Sequence, residues 1–156
     1  MVGEAGIQPE DEVLEIGPGP GALTDQLVGR ARRLVAVELD SRLAGRLRRR
    51  YEGRSDVEVV EGDILRTDLA QLFPKGGEVV VGNIPYYLTG ALLPKLLDQA
   101  PRPKRISLVV QREVAERWTA PTGASTGAVA VQLYTEPRLA LRLPAVAFDP
   151  VPQVDS

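Results

Sequence analysis

The sequence predicts a doubly wound α/β domain built on a mostly parallel sheet. Three observations carry that expectation: five short apolar runs rich in β-branched residues, helical apolar spacing between them, and a length of 156 residues that suits one core. Residues 12–16 (EVLEI), 33–39 (RLVAVEL), 57–62 (VEVVEG), 78–83 (EVVVGN) and 105–110 (RISLVV) read as buried strands. After the second run, Leu39, Leu43, Leu47 and Tyr51 recur every four residues, a stripe that should face the sheet. Asp40 directly precedes SRLAGRL and reads as the cap of that helix. Pro94 interrupts the apolar pattern of residues 88–98, so the helix there either starts late or is kinked. Residues 119–127 (TAPTGASTG) read as a loop, followed by an apolar stretch to Tyr134 and an alternating LALRL. Trp118 and Tyr134 are expected in the core, and Tyr87 as either core or pocket wall. In doubly wound sheets ligands bind beyond the carboxyl ends of the strands, where the strand order switches, so functional residues should follow strands.

Composition removes whole classes of function. Lys and Arg total 19 against 21 Asp and Glu, a net charge of -2, so no global basic field exists. With no Cys and no His, the chain has no disulfide, no zinc site of the usual N/S kind, no Cys/His or Ser/His triad and no histidine acid or base; no metal is expected. The apolar stretches fall short of the ~20 residues of a membrane span, and the first twelve residues lack a secretory signal. A cytoplasmic monomer with no membrane partner is the expectation.

Residues 15–21 (EIGPGPG) follow the first strand and lead into ALTDQLV, a helix start. Glycines let the backbone turn sharply and approach a ligand closely, and the helix start offers free N–H groups. Glu38 closes the second strand 21 residues after Gly17, about the ~20-residue spacing at which an acid meets the ribose hydroxyls of a nucleoside cofactor. Dinucleotide binders usually spell this loop G-x-G-x-x-G, and the G-x-G-x-G here, with two prolines, disfavours NAD. The spelling looks like motif I of the Rossmann-like methyltransferases, whose loop passes around the amino acid end of S-adenosylmethionine. That resemblance implies a cofactor site of Glu15, Gly17, Gly19, Gly21, Glu38, Leu39, Asp63, Ile64 and Asn83, with Asp63 against the adenine amino group. The plainer alternative is a tight strand-to-helix turn with Asp63 as a turn residue.

The fourth strand ends in GNIPYY, residues 82–87. Methylating an exocyclic adenine amine is hard because the nitrogen lone pair is delocalised into the ring. An Asn and a rigid backbone suit that chemistry. Asn83 and the Ile84 carbonyl would accept the two amine hydrogens, Pro85 would fix the turn and Tyr86 would stack on the base. No general base is needed before attack on a sulfonium methyl, so positioning and electrostatics dominate. Alone, the four residues could equally be a strand-terminal turn with an Asn cap.

Taken together, these segments resemble the ribosomal RNA adenine N6,N6-dimethyltransferases of KsgA type through nearly the whole chain. VLEIGPGPGALT (13–24) is similar to the family's motif I, VEGDIL (60–65) to its acidic motif and VVGNIPYYLT (80–89) to its catalytic motif. QREVAERW (111–118) and FDPVPQVDS (148–156) resemble two later segments. The resemblance implies a Rossmann-like class I methyltransferase fold, S-adenosylmethionine as cofactor, Phe148 as a second aromatic at the base, and dimethylation of two adjacent adenosines near the 3′ end of small-subunit rRNA in the immature small ribosomal subunit. The Erm-type large-subunit dimethylases share motif I and an Asn-Ile-Pro-Tyr motif, so that substrate stays an alternative, as does a noncatalytic RNA-binding or ribosome-assembly module. Nothing before Glu12 resembles the family's Gln-Asn/His-Phe-Leu segment, and TGASTG (122–127) lacks the basic and aromatic residues relatives often carry there. Residues 1–156 are expected to be one catalytic domain cut at both ends, lacking the family's helical C-terminal domain.

From Arg30 to Arg54 nine Arg stand against Glu38, Asp40 and Glu52, with Arg42, Arg46 and Arg50 spaced four apart. The run reads as a solvated helix face or, more sharply, as a stripe that binds phosphates.

Overall fold

The computed structural model describes residues 2–98, 100–121, 123 and 125–144. Five parallel strands form one sheet in the order β3-β2-β1-β4-β5. They are β1 (Glu12–Ile16), β2 (Arg33–Glu38), β3 (Val57–Glu61), β4 (Val79–Asn83) and β5 (Arg105–Val109). The helices are α1 (Val2–Ala5), α2 (Ala22–Leu27), α3 (Ser41–Arg50), α4 (Leu69–Leu72), α5 (Tyr86–Asp98), α6 (Arg112–Thr119) and α7 (Thr126–Gln132). The chain winds outward from β1 through β2 to β3, then returns to the other side of β1 with β4. The switch point therefore lies between β1 and β4, where Ile16 pairs with Gly82.

Strand alternation divides the core in two. Leu14, Ile16, Val35, Val37 and Val80 meet Leu69, Phe73, Leu92 and Leu96 on one face. Val13, Leu34, Val79 and Val81 meet Ala5 and Leu27 on the other. Because both faces of β1 are covered, residues of either parity are buried there, which is why central parallel strands read as near-continuous apolar runs. Buried Asp11 ties the start of β1 to the turn before β5, accepting from Lys104 Nζ at 2.8 Å. Burial alone would raise its pKa, but Lys104 and the Gln8 N–H bring it below the usual carboxylate range.

Several sequence expectations need correction. Leu39 lies outside α3 and is 65% exposed, because β2 ends at Glu38 and the loop turns its side chain out; Ala44 and Leu47 form the buried part of α3 instead. The helix containing Pro94 does not start late: it begins eight residues earlier, at Tyr86, and Leu92, Leu93, Leu96 and Leu97 hold it down. The end of the expected loop is the start of α7, capped by Ser125 Oγ accepting from the Ala128 N–H at 3.1 Å. Tyr134 is not core: just beyond α7 it is 45% exposed, with the Arg102 guanidinium 4.6 Å from its ring centroid. Trp118 is half-buried at the margin of the core. Tyr87 is 81% exposed, which removes the core alternative for it.

Candidate functional site

The loops that follow β1, β2, β3 and β4 gather at one edge of the sheet around the switch point. Gly17, Gly19 and Gly21 all have positive φ, at 63°, 58° and 95°, a backbone that side chains other than Gly rarely adopt. A Cβ at Gly17 or Gly19 would meet nothing within 4 Å, so both face open space, whereas one at Gly21 would lie 2.8 Å from Leu47 Cδ2. The loop is thus open toward the crevice and closed toward α3. The Gly17 N–H donates to Val37 O at 3.0 Å, pinning the start of the loop to β2.

Glu38 holds the same loop from the end of β2. Its Oε2 accepts from the Gly19 N–H and its Oε1 from the Asp40 N–H, each at 2.9 Å, and the residue is 7% exposed. The acid that the spacing singled out is therefore joined to the glycine loop by a direct bond. Asp40 is the helix cap the sequence implied, accepting from the Arg42 and Leu43 N–H groups, which hold its carboxyl below the usual range. A small cavity of 220 Å³ lies beside this turn, lined by Asp40, Arg42, Leu43 and Arg46.

Asp63 follows β3 and accepts from the Leu65 N–H at 2.9 Å, with Arg66 Nε 3.8 Å from its other oxygen. The turn role and an exposed carboxylate oxygen coexist. Ile64 is buried in the core, which leaves its backbone for a ligand. At the end of β4, Asn83 is exposed, and no hydrogen bond among the described residues occupies its side chain. The Ile84 N–H donates to Val109 O at 2.9 Å, which locks the peptide plane at the turn. Pro85 O accepts from the Leu88 N–H at 3.0 Å, and Tyr86 opens α5. Phe148 lies outside the described residues.

Glu15 is the residue that departs from the expected set. Strand parity places it with Val13 on the face covered by α2, where it is 1% exposed. Among the described residues neither carboxyl oxygen has a hydrogen-bond partner, and neither does the buried Thr24 Oγ1. Burial, with Asp25 and Glu38 nearby, pushes its pKa up to about 7, although Thr24 tempers the rise. A sealed group cannot touch a ligand in the crevice, so direct cofactor contact by Glu15 is set aside.

Gly82 is a site residue to which the sequence motif assigned no role. A Cβ there would lie 2.9 Å from Ile16 O, a backbone clash that only Gly avoids at the switch point. The signal was available in the apolar run EVVVGN, where a lone Gly in a strand marks a close approach. A larger cavity of 610 Å³ lies along the outer edge of β5, and none of the glycine-loop residues, Glu38, Asp63 or Asn83 lines it.

Residues 1–156 match the family of ribosomal RNA adenine dimethylases from end to end. The chain belongs to that family. Among its relatives, the ribosomal RNA small subunit methyltransferase A of Acidobacterium capsulatum is 45% identical over 148 residues, 92% of this chain and 52% of that protein. Among solved structures, a dimethyladenosine transferase from Plasmodium falciparum is 34% identical with a TM-score of 0.84, covering 99% of this chain and 56% of the other. The 23S rRNA methyltransferase ErmE is 33% identical with a TM-score of 0.80, covering 98% and 61%. The chain spans little more than half the length of the curated relatives it matches.

The residues present fit the cofactor such a fold implies. Open space over Gly17 and Gly19, an acidic side chain fixed across from them and the exposed Leu39 between Glu38 and Asp40 are the features a nucleoside with an amino acid tail requires. Gly17 and Gly19 would face the tail, Glu38 the ribose, Leu39 and Asp63 the adenine. Among the described residues no cluster of acids could hold a metal ion, and no helix is long and apolar enough to cross a membrane.

Proposed function

We propose that residues 1–156 form the catalytic domain of an S-adenosylmethionine-dependent dimethyltransferase acting on the N6 amines of two adjacent adenosines near the 3′ end of small-subunit rRNA. The observation that carries the reading is the juxtaposition at the switch point: Asn83 ends the strand whose Gly82 pairs with Ile16, immediately before the glycine loop. When bound, the cofactor supplies an activated sulfonium methyl; this chain's residues present the amine to it.

The Asn83 side-chain oxygen and the Ile84 carbonyl accept the two amine hydrogens, which draws the nitrogen lone pair out of the ring and toward the methyl. The bond from Ile84 N–H to Val109 O and the proline turn hold both acceptors in place before the substrate arrives, so little reorganisation is needed. Tyr86, and Phe148 from the other side, stack on the base, an interaction worth roughly 1–3 kcal/mol for an unpaired base. The product ammonium loses its proton to water. The curated relatives named for the small subunit support that substrate over the large-subunit one, for which ErmE is a structural neighbour. Action in the cytoplasm as a monomer completes the reading.

The test is methyl transfer to immature small ribosomal subunits beside cofactor titration. Asn83→Ala removes an acceptor for the amine, so transfer should fall roughly 100-fold or more, well beyond any accompanying loss of cofactor affinity. Equal loss of both would remove Asn83 from its role.

A further inference from the structure

Glu15 and Thr24 place three buried polar atoms, without partners among the described residues, beneath the glycine loop. A carboxyl two residues before Gly17 and a hydroxyl in the first turn of α2 thus lie at either end of the step from the sheet into the helix the loop leads to. A buried carboxylate without donors is costly in ionised form, and a neutral carboxyl can instead donate its O–H to the neighbouring hydroxyl oxygen. The charged and titratable groups that act on it are Asp25 on α2, Glu38 on β2 and Tyr51 at the end of α3, with Arg50 one step further out on Asp25. Asp25 is engaged by Arg50 Nη2 and by the Tyr51 hydroxyl, the latter at 2.6 Å, and Arg50 Nη1 also reaches Pro20 O at 3.4 Å. Burial and Asp25 push the Tyr51 hydroxyl pKa up, so it stays neutral. Glu38 is fixed by two backbone donors. Glu15 is the acid of this group whose oxygens meet no hydrogen-bond geometry among the described residues, with Thr24 the one neighbour that favours its charged form.

Building on the proposed cofactor, we propose that Glu15 is a positioning residue whose ionisation is coupled to the charge of the ligand above the glycine loop. A cationic sulfonium ligand favours the carboxylate, whereas its neutral thioether product does not, so substrate cofactor and spent cofactor are distinguished by a residue that touches neither. Balance follows directly: binding the sulfonium below neutral pH releases the Glu15 proton to solvent, and no covalent bond changes.

The experiment is calorimetric titration of the 156-residue chain with S-adenosylmethionine and S-adenosylhomocysteine from pH 5.5 to 8.5, in buffers of different ionisation enthalpy. For the wild type, the affinity ratio of sulfonium to thioether should rise about fivefold or more with pH, the size of an ordinary coupling between sites, with proton release on sulfonium binding near pH 6. Glu15→Gln should flatten the part of that rise due to the protein, and Glu15→Asp should restore part of it. Titration of the ligands' own amines is common to wild type and variant and cancels between them. An unchanged ratio in the wild type, or the same rise in Glu15→Gln, would overturn the proposal. The buffer-dependent proton count needs no variant, so a destabilised Glu15→Gln does not rescue it. Failure of either ligand to bind would overturn the cofactor assignment itself, an outcome separate from pH-independent binding.

Discussion

The β1-β2-β3 half of the crevice and the β4-β5 half meet at one switch point but are finished differently. On the first side three acids at the loops have taken backbone donors of their own: Glu38 from Gly19 and Asp40, Asp40 from Arg42 and Leu43, Asp63 from Leu65. On the second side Asn83 is exposed with no side-chain bond among the described residues, and Tyr87 near the start of α5 is 81% exposed. The first half is organised before any ligand arrives, which lowers the ordering cost of binding a small cofactor. Under the proposed function, the second half's hydrogen-bonding and stacking groups are the ones an RNA substrate would satisfy.

Substitutions can break this contrast in a graded way. The largest effect is expected at Glu38, where Glu38→Ala leaves the Gly19 and Asp40 N–H groups without their charged acceptor. Two such bonds, each worth about 1.5–3 kcal/mol, should appear as a lower urea midpoint together with at least tenfold weaker cofactor binding. Glu15→Gln acts in the opposite direction. The folded pKa of about 7 stands above the ordinary 4.5, so the unliganded wild type binds more protons folded than unfolded between those values and loses stability as pH rises through them. Glu15→Gln escapes that loss and should gain about 3 kcal/mol on the wild type between pH 4.5 and pH 8, measured by urea unfolding at each pH. A variant whose advantage is the same at both ends would contradict the buried carboxyl.

Gly82→Ala comes next. The added methyl must displace backbone at the junction of the two halves, and about 1–3 kcal/mol of destabilisation is expected, with transfer reduced more than cofactor binding. The smallest effect concerns the arginines. Six of the nine are ion-paired within the chain, through Glu12, Glu58, Asp40, Glu61, Asp25 and Asp56. Arg46 and Arg49 are exposed on α3 and make no such pair among the described residues. Replacing both by Ala should change stability by no more than about 0.5 kcal/mol, and a solvated face leaves the salt dependence of RNA binding unaltered. A salt slope shallower by about one per Arg would convert them to phosphate ligands.

The sequence made the strands legible because a central parallel sheet writes both faces in apolar residues: β1 runs over the residues read for it, and the other four agree to within a residue at each end. Asp40 was legible as a cap because capping is local chemistry. Leu39 was misplaced because a four-residue repeat cannot tell where a strand hands over to a loop, and the exposed position it occupies depends on the turn that Glu38 and Asp40 make. The sealing of Glu15 was hidden for a related reason. Acidic residues at a glycine loop invite a ligand role, while its parity with Val13 and the helix above it are what decide that it lies beneath the site. The start of α7 was present as a Ser before Thr126 but was outweighed by the glycines around it.

The central claim is that the switch-point crevice binds an S-adenosyl cofactor through the glycine loop and Glu38. The direct measurement is calorimetric titration of wild type and Glu38→Ala with S-adenosylmethionine, with NAD as control. The account predicts saturable single-site binding to the wild type, none of NAD, and at least tenfold weaker binding to the variant. Binding of NAD in place of S-adenosylmethionine, or equal affinity of the two proteins for the cofactor, would contradict it.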